Sequence, residues 1–193
     1  MRAGERPDGL YVILSGRAKV LRSDEEGREV ILATLGAPQF FGEMGPLDDS
    51  PRSASVQALG PCEVMCLSTV DFVRCLSESR VLAMSVMRGM AERLRQADRQ
   101  IESLALLDVY GRVARVLLDL AEDIGGERII RHAPAKQEIA NMIGASREMV
   151  SRVIKDLCKR GHIRIESRRI VILKKAAADG GDAELARHLQ RIG

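Results

Sequence analysis

The segment ASREMVSRVIKDLCKRGHI, residues 145–163, sets Ser146 ahead of a helical run with two unlike sides. Arg147, Glu148, Ser151, Arg152 and Lys155 fall on one side, and Val150, Val153, Ile154 and Leu157 on the other. The fork of N–H donors on an arginine matches O6 and N7 of guanine, and a carboxylate accepts from cytosine N4. Arg147, Glu148 and Arg152 are therefore candidate base readers in a major groove. Ser146, Ser151, Lys155, Lys136, Arg168 and Arg169 are candidates for phosphate contacts, which add affinity without reading sequence. A solvated face with internal pairs four residues apart, such as Glu148 with Arg152, is the competing reading.

A second cluster lies in FGEMGPLDDSPRSASV, residues 41–56, where glycines and prolines interrupt a strand pattern among Glu43, Asp48, Asp49 and Arg52. Irregular backbone with free N–H groups, beside an arginine and a serine, suits a phosphate, and Glu43 suits a sugar hydroxyl. A surface loop in which Arg52 pairs with Glu43 or Asp49 accounts for the same composition equally well.

These residues need a scaffold, and the sequence outlines one. The runs LYVILSG, RAKVLRS, REVILATLG, SASVQALG and CEVMCLS are short, rich in β-formers and divided by turn residues, so the first third is expected to be an antiparallel β sandwich or roll. Asp24-Glu25-Glu26-Gly27 marks a hairpin turn, and Ser68 with Asp71 a capping box ahead of Phe72, Val73 and Leu76. From about Val81 the spacing changes: Met87, Met90, Leu94, Ala97, Ile101 and Leu104 alternate by three and four, a narrow seam suited to pairing with an identical helix. Packing of that helix on its own domain is the alternative. Asp108 precedes a helix expected to run from VYGRVARVLLDL through AEDI to Gly125-Gly126. A helix over Lys136–Ile143, the turn Gly144-Ala145, the helix capped by Ser146 and closed by Gly161, and a hairpin of IRIE and IVIL complete a winged helix-turn-helix. The expected segments are 1–79, 80–108 and 109–175, followed by a tail, 176–193, that is flexible or weakly helical.

Composition narrows the function. At 193 residues and 46% apolar residues the chain can bury a core, yet no apolar run nears the ~20 residues that span a bilayer, and MRAGERPDG has no secretory signal. A cytoplasmic location with no membrane contact is expected. Net charge is −3 over residues 1–109, +7 over 110–175 and −1 beyond, so the positive surplus sits where phosphate contact is expected. Cys62, Cys66, Cys75 and Cys158 form no CxxC pair and are expected to be buried free thiols. His132, His162 and His188 lie in the last third, which disfavours a histidine-held haem or metal in the roll. No nucleophile, base and orienting residue occur together, and there is no Walker-type or GxGxxG loop; a regulator without catalytic residues, metal or required cofactor is expected.

The stretches GERPDGLYVILSGRAKV, DEEGREVIL, FGEMGPLDDSPRSA, LALLDVYGRVARVLLDLA and QEIANMIGASREMVSRVIKDL, in this order, resemble the superfamily of bacterial regulators typified by the cyclic-AMP receptor protein and the fumarate and nitrate reduction regulator. The resemblance runs to about Lys175 and is closest to the cyclic-AMP receptor branch. It implies an α+β chain: an N-terminal β roll of the cyclic-nucleotide-binding type, a long dimerisation helix and a C-terminal winged helix-turn-helix. It also implies a homodimer that binds double-stranded DNA near promoters and contacts RNA polymerase. Carried over by position, Gly42 and Glu43 hold a ribose, Arg52 and Ser53 a cyclic phosphate, and Arg93 supports the pocket. Arg147, Glu148 and Arg152 match the base-reading set for a TGTGA-like half-site. Where cyclic-AMP binders carry adjacent hydroxyls for adenine, this chain has Ala97 and Asp98. Cyclic AMP is the first expectation, with cyclic GMP and cyclic di-GMP as alternatives. The family's roll also has residues ahead of the point matching Gly4, so an edge strand is expected to be missing, and the N-terminal cysteine cluster of the iron–sulfur relatives is not in this sequence. The second reading, from another class, is a nucleotide sensor whose helical end contacts protein; a small-molecule enzyme using Glu43 and Arg52 ranks last.

Overall fold

The computed structural model describes residues 1–167 and 169–173. The expected tail 176–193 and Arg168 lie outside the described residues. The chain divides into two compact units, Met1–Arg99 and Gln100 onward.

In the first unit the predicted alternation becomes two antiparallel three-stranded sheets, ordered β4-β1-β6 and β3-β2-β5. The strands are β1 (Gly9–Ser15), β2 (Arg17–Ser23), β3 (Glu29–Gly36), β4 (Phe40–Phe41), β5 (Ser55–Ala58) and β6 (Glu63–Ser68). Ile13, Ala18, Leu35 and Phe41 fill the space between them. Fully burying a side chain such as Ile13 stabilises the fold by ~1.5–3 kcal/mol. The β2–β3 turn is held by Asp24, whose carboxylate accepts from the backbone N–H of Glu26 at 3.0 Å and of Arg28 at 2.8 Å. Helix α1 (Met44–Asp48) lies in the segment read as irregular, and α2 (Thr69–Glu78) follows β6. Ser68 caps α2, accepting from the Asp71 N–H at 3.1 Å and donating to its carboxylate at 2.7 Å. Phe72 of α2 and Val86 of α3 (Arg80–Leu106) pack on Leu10 of β1.

At 27 residues α3 is about 40 Å long. Val86 is its one buried residue, whereas the seam positions Met87, Met90, Leu94, Ile101 and Leu104 are exposed. Packing on its own domain thus leaves the seam uncovered.

In the second unit Asp108 caps α4 (Val109–Asp119), accepting from the Gly111 N–H at 2.8 Å. The expected continuation to Gly125 is overturned: α4 ends at Asp119, and residues 122–130 form the hairpin β7 (Glu122–Ile124) and β8 (Glu127–Ile130). Gly125 and Gly126 have φ of 63° and 82°, so they form the two-residue hairpin turn and not a helix stop. Helices α5 (Lys136–Ile143) and α6 (Arg147–Lys159) follow, with Gly144 left-handed between them, and then β9 (Ile163–Glu166) and β10 (Arg169–Ile172). The sheet order is β7-β8-β10-β9, and its inner face joins Val113, Leu117, Ile139, Val150, Ile154 and Leu157 in one core.

The expectation of buried thiols is corrected. Cys66 is exposed, and Cys62, Cys75 and Cys158 are half-buried. Cys66 lies on β6 with its side chain outside the core, and Cys62, just ahead of β6, packs only partly against the core of the roll. Among the described residues no helix is long and apolar enough to cross a membrane, and no cluster of His, Cys, Asp and Glu could hold a metal.

Candidate functional site

The roll concentrates charge where β1, the β4–α1 turn and the segment before β5 meet. Arg52 is 5% exposed. Its Nη1 donates to the Gly42 carbonyl at 2.6 Å, and its Nη2 donates to the Gly9 carbonyl at 2.8 Å and to Asp8 Oδ1. Neither loop alternative for Arg52 is realised, because the chain brings Asp8 and not Glu43 or Asp49 to its guanidinium. Those three bonds leave the Nε–H and one Nη1–H of the five donors for a ligand. Gly42 has φ of 84°, and a Cβ there would lie 2.6 Å from Arg52 Nη1, so glycine is what lets the guanidinium lie against the turn.

Glu43 begins α1 and is 3% exposed. Its Oε1 takes Arg93 Nη1 at 2.5 Å, while Oε2 is buried with no partner. Arg93 also donates from Nη2 to the Phe40 carbonyl, and its guanidinium lies 4.8 Å from the Phe40 ring centre. A buried carboxylate oxygen lacking a donor is costly, and a sugar hydroxyl is a donor of the right kind. Ser53 is exposed beside Arg52, its hydroxyl 3.7 Å from Met44 Sδ. Ala97 follows Arg93 by one turn on the same side of α3 and is half-buried; Asp98 is exposed. The structure thus brings Gly42, Glu43, Arg52 and Arg93 together, and leaves Asp98 in solvent.

Asp8 and Tyr11 are the members that sequence reasoning missed. The Tyr11 hydroxyl donates to Asp8 Oδ2 at 2.6 Å, and the Tyr11 ring stacks on Phe41 with centres 5.2 Å apart. This hydroxyl, ahead of Arg52, holds the Asp8 carboxyl below the usual carboxylate range. In return the Asp8 carboxylate and burial push the Tyr11 phenol upward. Asp8, Tyr11 and Arg52 line a cavity of about 540 Å³ that runs between the sheets to Phe41, Ala18 and Val56. The only hint in the sequence was that Asp8 lies in the stretch GERPDG.

In the second unit Ser146 caps α6, accepting from the Met149 N–H at 3.2 Å. The cap fixes where the helix starts, and its buried apolar stripe fixes which side faces out. Val150, Ile154 and Leu157 are buried beneath it, with Val153 half-buried, while Arg147, Glu148, Arg152 and Lys155 are exposed on the far side. Ser146, Lys136 at the start of α5 and Arg169 at the start of β10 are exposed as well, and Ser151 is half-buried. The Glu148 carboxyl is held below its ordinary value first by its own backbone N–H, then by the Ser146 hydroxyl, Arg147 and Arg152. Arg112 of α4, unremarked in the sequence, donates to the Ile143 carbonyl at 2.8 Å and so ties α4 to the end of α5.

A β roll with a buried cluster of paired charges, followed by a winged helix-turn-helix with a charged exposed face, has the architecture of a DNA-binding regulator. Residues 1–79 match the cyclic nucleotide-binding domain, and residues 111–177 match the Crp-like helix-turn-helix domain. The chain is 36% identical over 180 residues to Vfr, a cAMP-activated global transcriptional regulator of Pseudomonas aeruginosa, across 88% of this chain and 83% of that protein. It is 33% identical over 173 residues to a CRP-like cAMP-activated regulator of Mycobacterium tuberculosis, across 88% of this chain and 77% of that one. Among solved structures, CLP of Xanthomonas campestris, described as a c-di-GMP responsive global regulator, superposes with a TM-score of 0.74 at 27% identity, covering 89% of this chain and 87% of that one. The chain belongs to the Crp/Fnr family of transcription regulators, and these relatives are regulators of transcription, not enzymes.

Proposed function

We propose that this regulator works in the cytoplasm as a homodimer paired along α3, binds a cyclic nucleotide in its roll, and reads a two-fold TGTGA-like DNA site with α6. The observation that carries the reading is the exposure of Arg147, Glu148 and Arg152 together, on the side of α6 opposite the buried Val150, Ile154 and Leu157. Two forks and a carboxylate on one free face fit the guanine and cytosine edges of such a half-site. Lys136, Ser146, Ser151, Lys155 and Arg169 serve the flanking phosphates, and Arg168, outside the described residues, is kept with them on its place in the sequence next to Arg169.

In the roll, Gly42 and Glu43 take the ribose, Arg52 and Ser53 the cyclic phosphate, and Arg93 holds Glu43 in place. The unpartnered Glu43 Oε2 supports this assignment. Cyclic AMP is the first effector to test, from the names of the relatives, and Ala97 with Asp98 in place of two hydroxyls keeps cyclic GMP and cyclic di-GMP in the test. The exposed α3 seam supports the dimer. A dimer sets two reading helices roughly 34 Å apart, one turn of B-DNA, and the ligand acts by binding one arrangement of them better than the other. RNA polymerase is the further partner, met while the dimer sits on DNA.

Fluorescence anisotropy tests this directly. A palindromic TGTGA duplex, a single half-site and a scrambled duplex are titrated at fixed salt with cyclic AMP, cyclic GMP, cyclic di-GMP or no ligand. One ligand should tighten binding to the palindrome above the other two duplexes, with affinity falling steeply as salt rises. Equal affinity for all three duplexes, or binding indifferent to salt, overturns the reading.

A further inference from the structure

We infer that Asp8 is a built-in competitor for the roll's ligand: its carboxylate pairs with the Arg52 guanidinium and must yield before an anion can take full hold. The inference rests on the reading that Arg52 receives the ligand's phosphate. Three observations carry it.

The pair is lopsided in burial. The Arg52 side chain is 3% exposed and the Asp8 side chain 68%, so the carboxylate lies at the surface over a charge that is otherwise enclosed. The two backbone carbonyls on Arg52, Gly9 and Gly42, carry no full charge, which makes Asp8 the group that neutralises it. A phosphate arriving at Nε and the remaining Nη1–H meets a like charge on the same guanidinium. Its gain is the difference between two anions, not the full attraction of a bare cation.

Asp8 is also tethered. Tyr11 donates to its second oxygen at 2.6 Å, and the tyrosine ring is fixed by stacking on Phe41. The carboxylate is therefore aimed at Arg52 by a rigid neighbour, where a free surface aspartate would sample many rotamers. Finally, there is room to yield. Asp8, Tyr11 and Arg52 face the 540 Å³ cavity, whose lining includes the exposed Arg6, an alternative counter-ion for a displaced carboxylate. Asp8 thereby sets the effector concentration at which the regulator responds, without touching the effector. It is a positioning residue that acts through Arg52.

Calorimetric titration of the full chain with cyclic AMP, cyclic GMP and cyclic di-GMP distinguishes this from a scaffolding role. Asp8→Asn keeps the shape and removes the charge, and should tighten binding of whichever nucleotide binds roughly tenfold. Tyr11→Phe loosens the tether and should tighten it about twofold to threefold, while Asp8→Glu should stay near the parent. Weaker or unchanged binding by Asp8→Asn means that Asp8 merely orients Arg52, and overturns the inference. Should neither parent nor variant bind any of the three nucleotides, the assignment of nucleotide to Arg52 is what fails. Inorganic pyrophosphate then decides on Asp8: a rise in melting temperature in Asp8→Asn greater than in the parent supports the competitor, and equal rises overturn it.

Discussion

Glu43 and Arg52 in the roll are nearly closed from water, and each is met by a partner from a distant part of the chain: Arg93 for Glu43, Asp8 for Arg52. Arg147, Glu148 and Arg152 on α6 stand in solvent, and the groups that shift Glu148 are its own helix start and its neighbours in sequence. Ligands at the two places would therefore face different competitors. In the roll a ligand trades one set of short polar contacts for another, so its affinity is a small remainder of large terms. On α6, as proposed, DNA would compete only with water and counter-ions, so affinity would follow the number of phosphates met and the salt, and specificity a few base edges.

The largest effect is expected at Arg52. Arg52→Ala leaves the Gly9 and Gly42 carbonyls and Asp8 without their shared donor, and should destabilise the first unit by ~2–4 kcal/mol while abolishing the nucleotide response. Non-specific DNA affinity should be unchanged. Thermal unfolding and calorimetry read the two effects, and a variant as stable as the parent would mean that the buried contacts contribute little.

The same contrast explains what could be read from the sequence. The two faces of α6 were readable from the sequence, because a capped amphipathic helix sorts its side chains by a local period: Ser146 fixes the start, and Val150, Ile154 and Leu157 fix the rotation. Strands β1, β2, β3, β5, β6, β9 and β10 and helix α5 were readable from local patterns as well, whereas the two-residue β4 and the β7–β8 hairpin were not. In the roll, the residue types in 41–56 were compatible with an anion site and with a plain surface loop alike, and did not say who holds whom. Arg52 lies 44 residues from Asp8, and Glu43 lies 50 from Arg93, separations that no local pattern spans. The Gly125-Gly126 error has a related cause. Two glycines with positive φ serve a helix end and a hairpin turn alike, and only the pairing of β7 with β8 decides between them.

On α6 the expected effects are smaller and fall on binding, not folding. Arg147→Ala should cost ~1–3 kcal/mol of specific affinity and relax discrimination at one base position, with stability within ~0.5 kcal/mol of the parent. Lys155→Ala should weaken palindrome and scrambled duplex alike, and lower the salt slope by about one. Anisotropy on both duplexes at several salt concentrations separates the two. If Arg147→Ala lost affinity evenly while Lys155→Ala relaxed a base position, the roles on this helix would be exchanged.

The smallest effect sharpens the comparison at its electrostatic root. Asp8 has a carboxyl held below its ordinary value of 3.8, first by the Tyr11 hydroxyl and then by Arg52, so the native state binds its proton less readily than the unfolded chain does. Its contribution to stability is present above pH 3.8 and is lost as pH falls through the depressed native value. Because its side chain is 68% exposed, solvent screens the pair, and the contribution should stay under ~1 kcal/mol. Melting curves of the parent and Asp8→Asn should run a constant small distance apart from neutral pH down to about pH 5, then converge in stronger acid as the parent's carboxylate is neutralised. A gap that persists unchanged to the acid limit would make the contact one of shape. Asp8 would then be a strut under Arg52, and a ligand in the roll would compete with packing, not with charge.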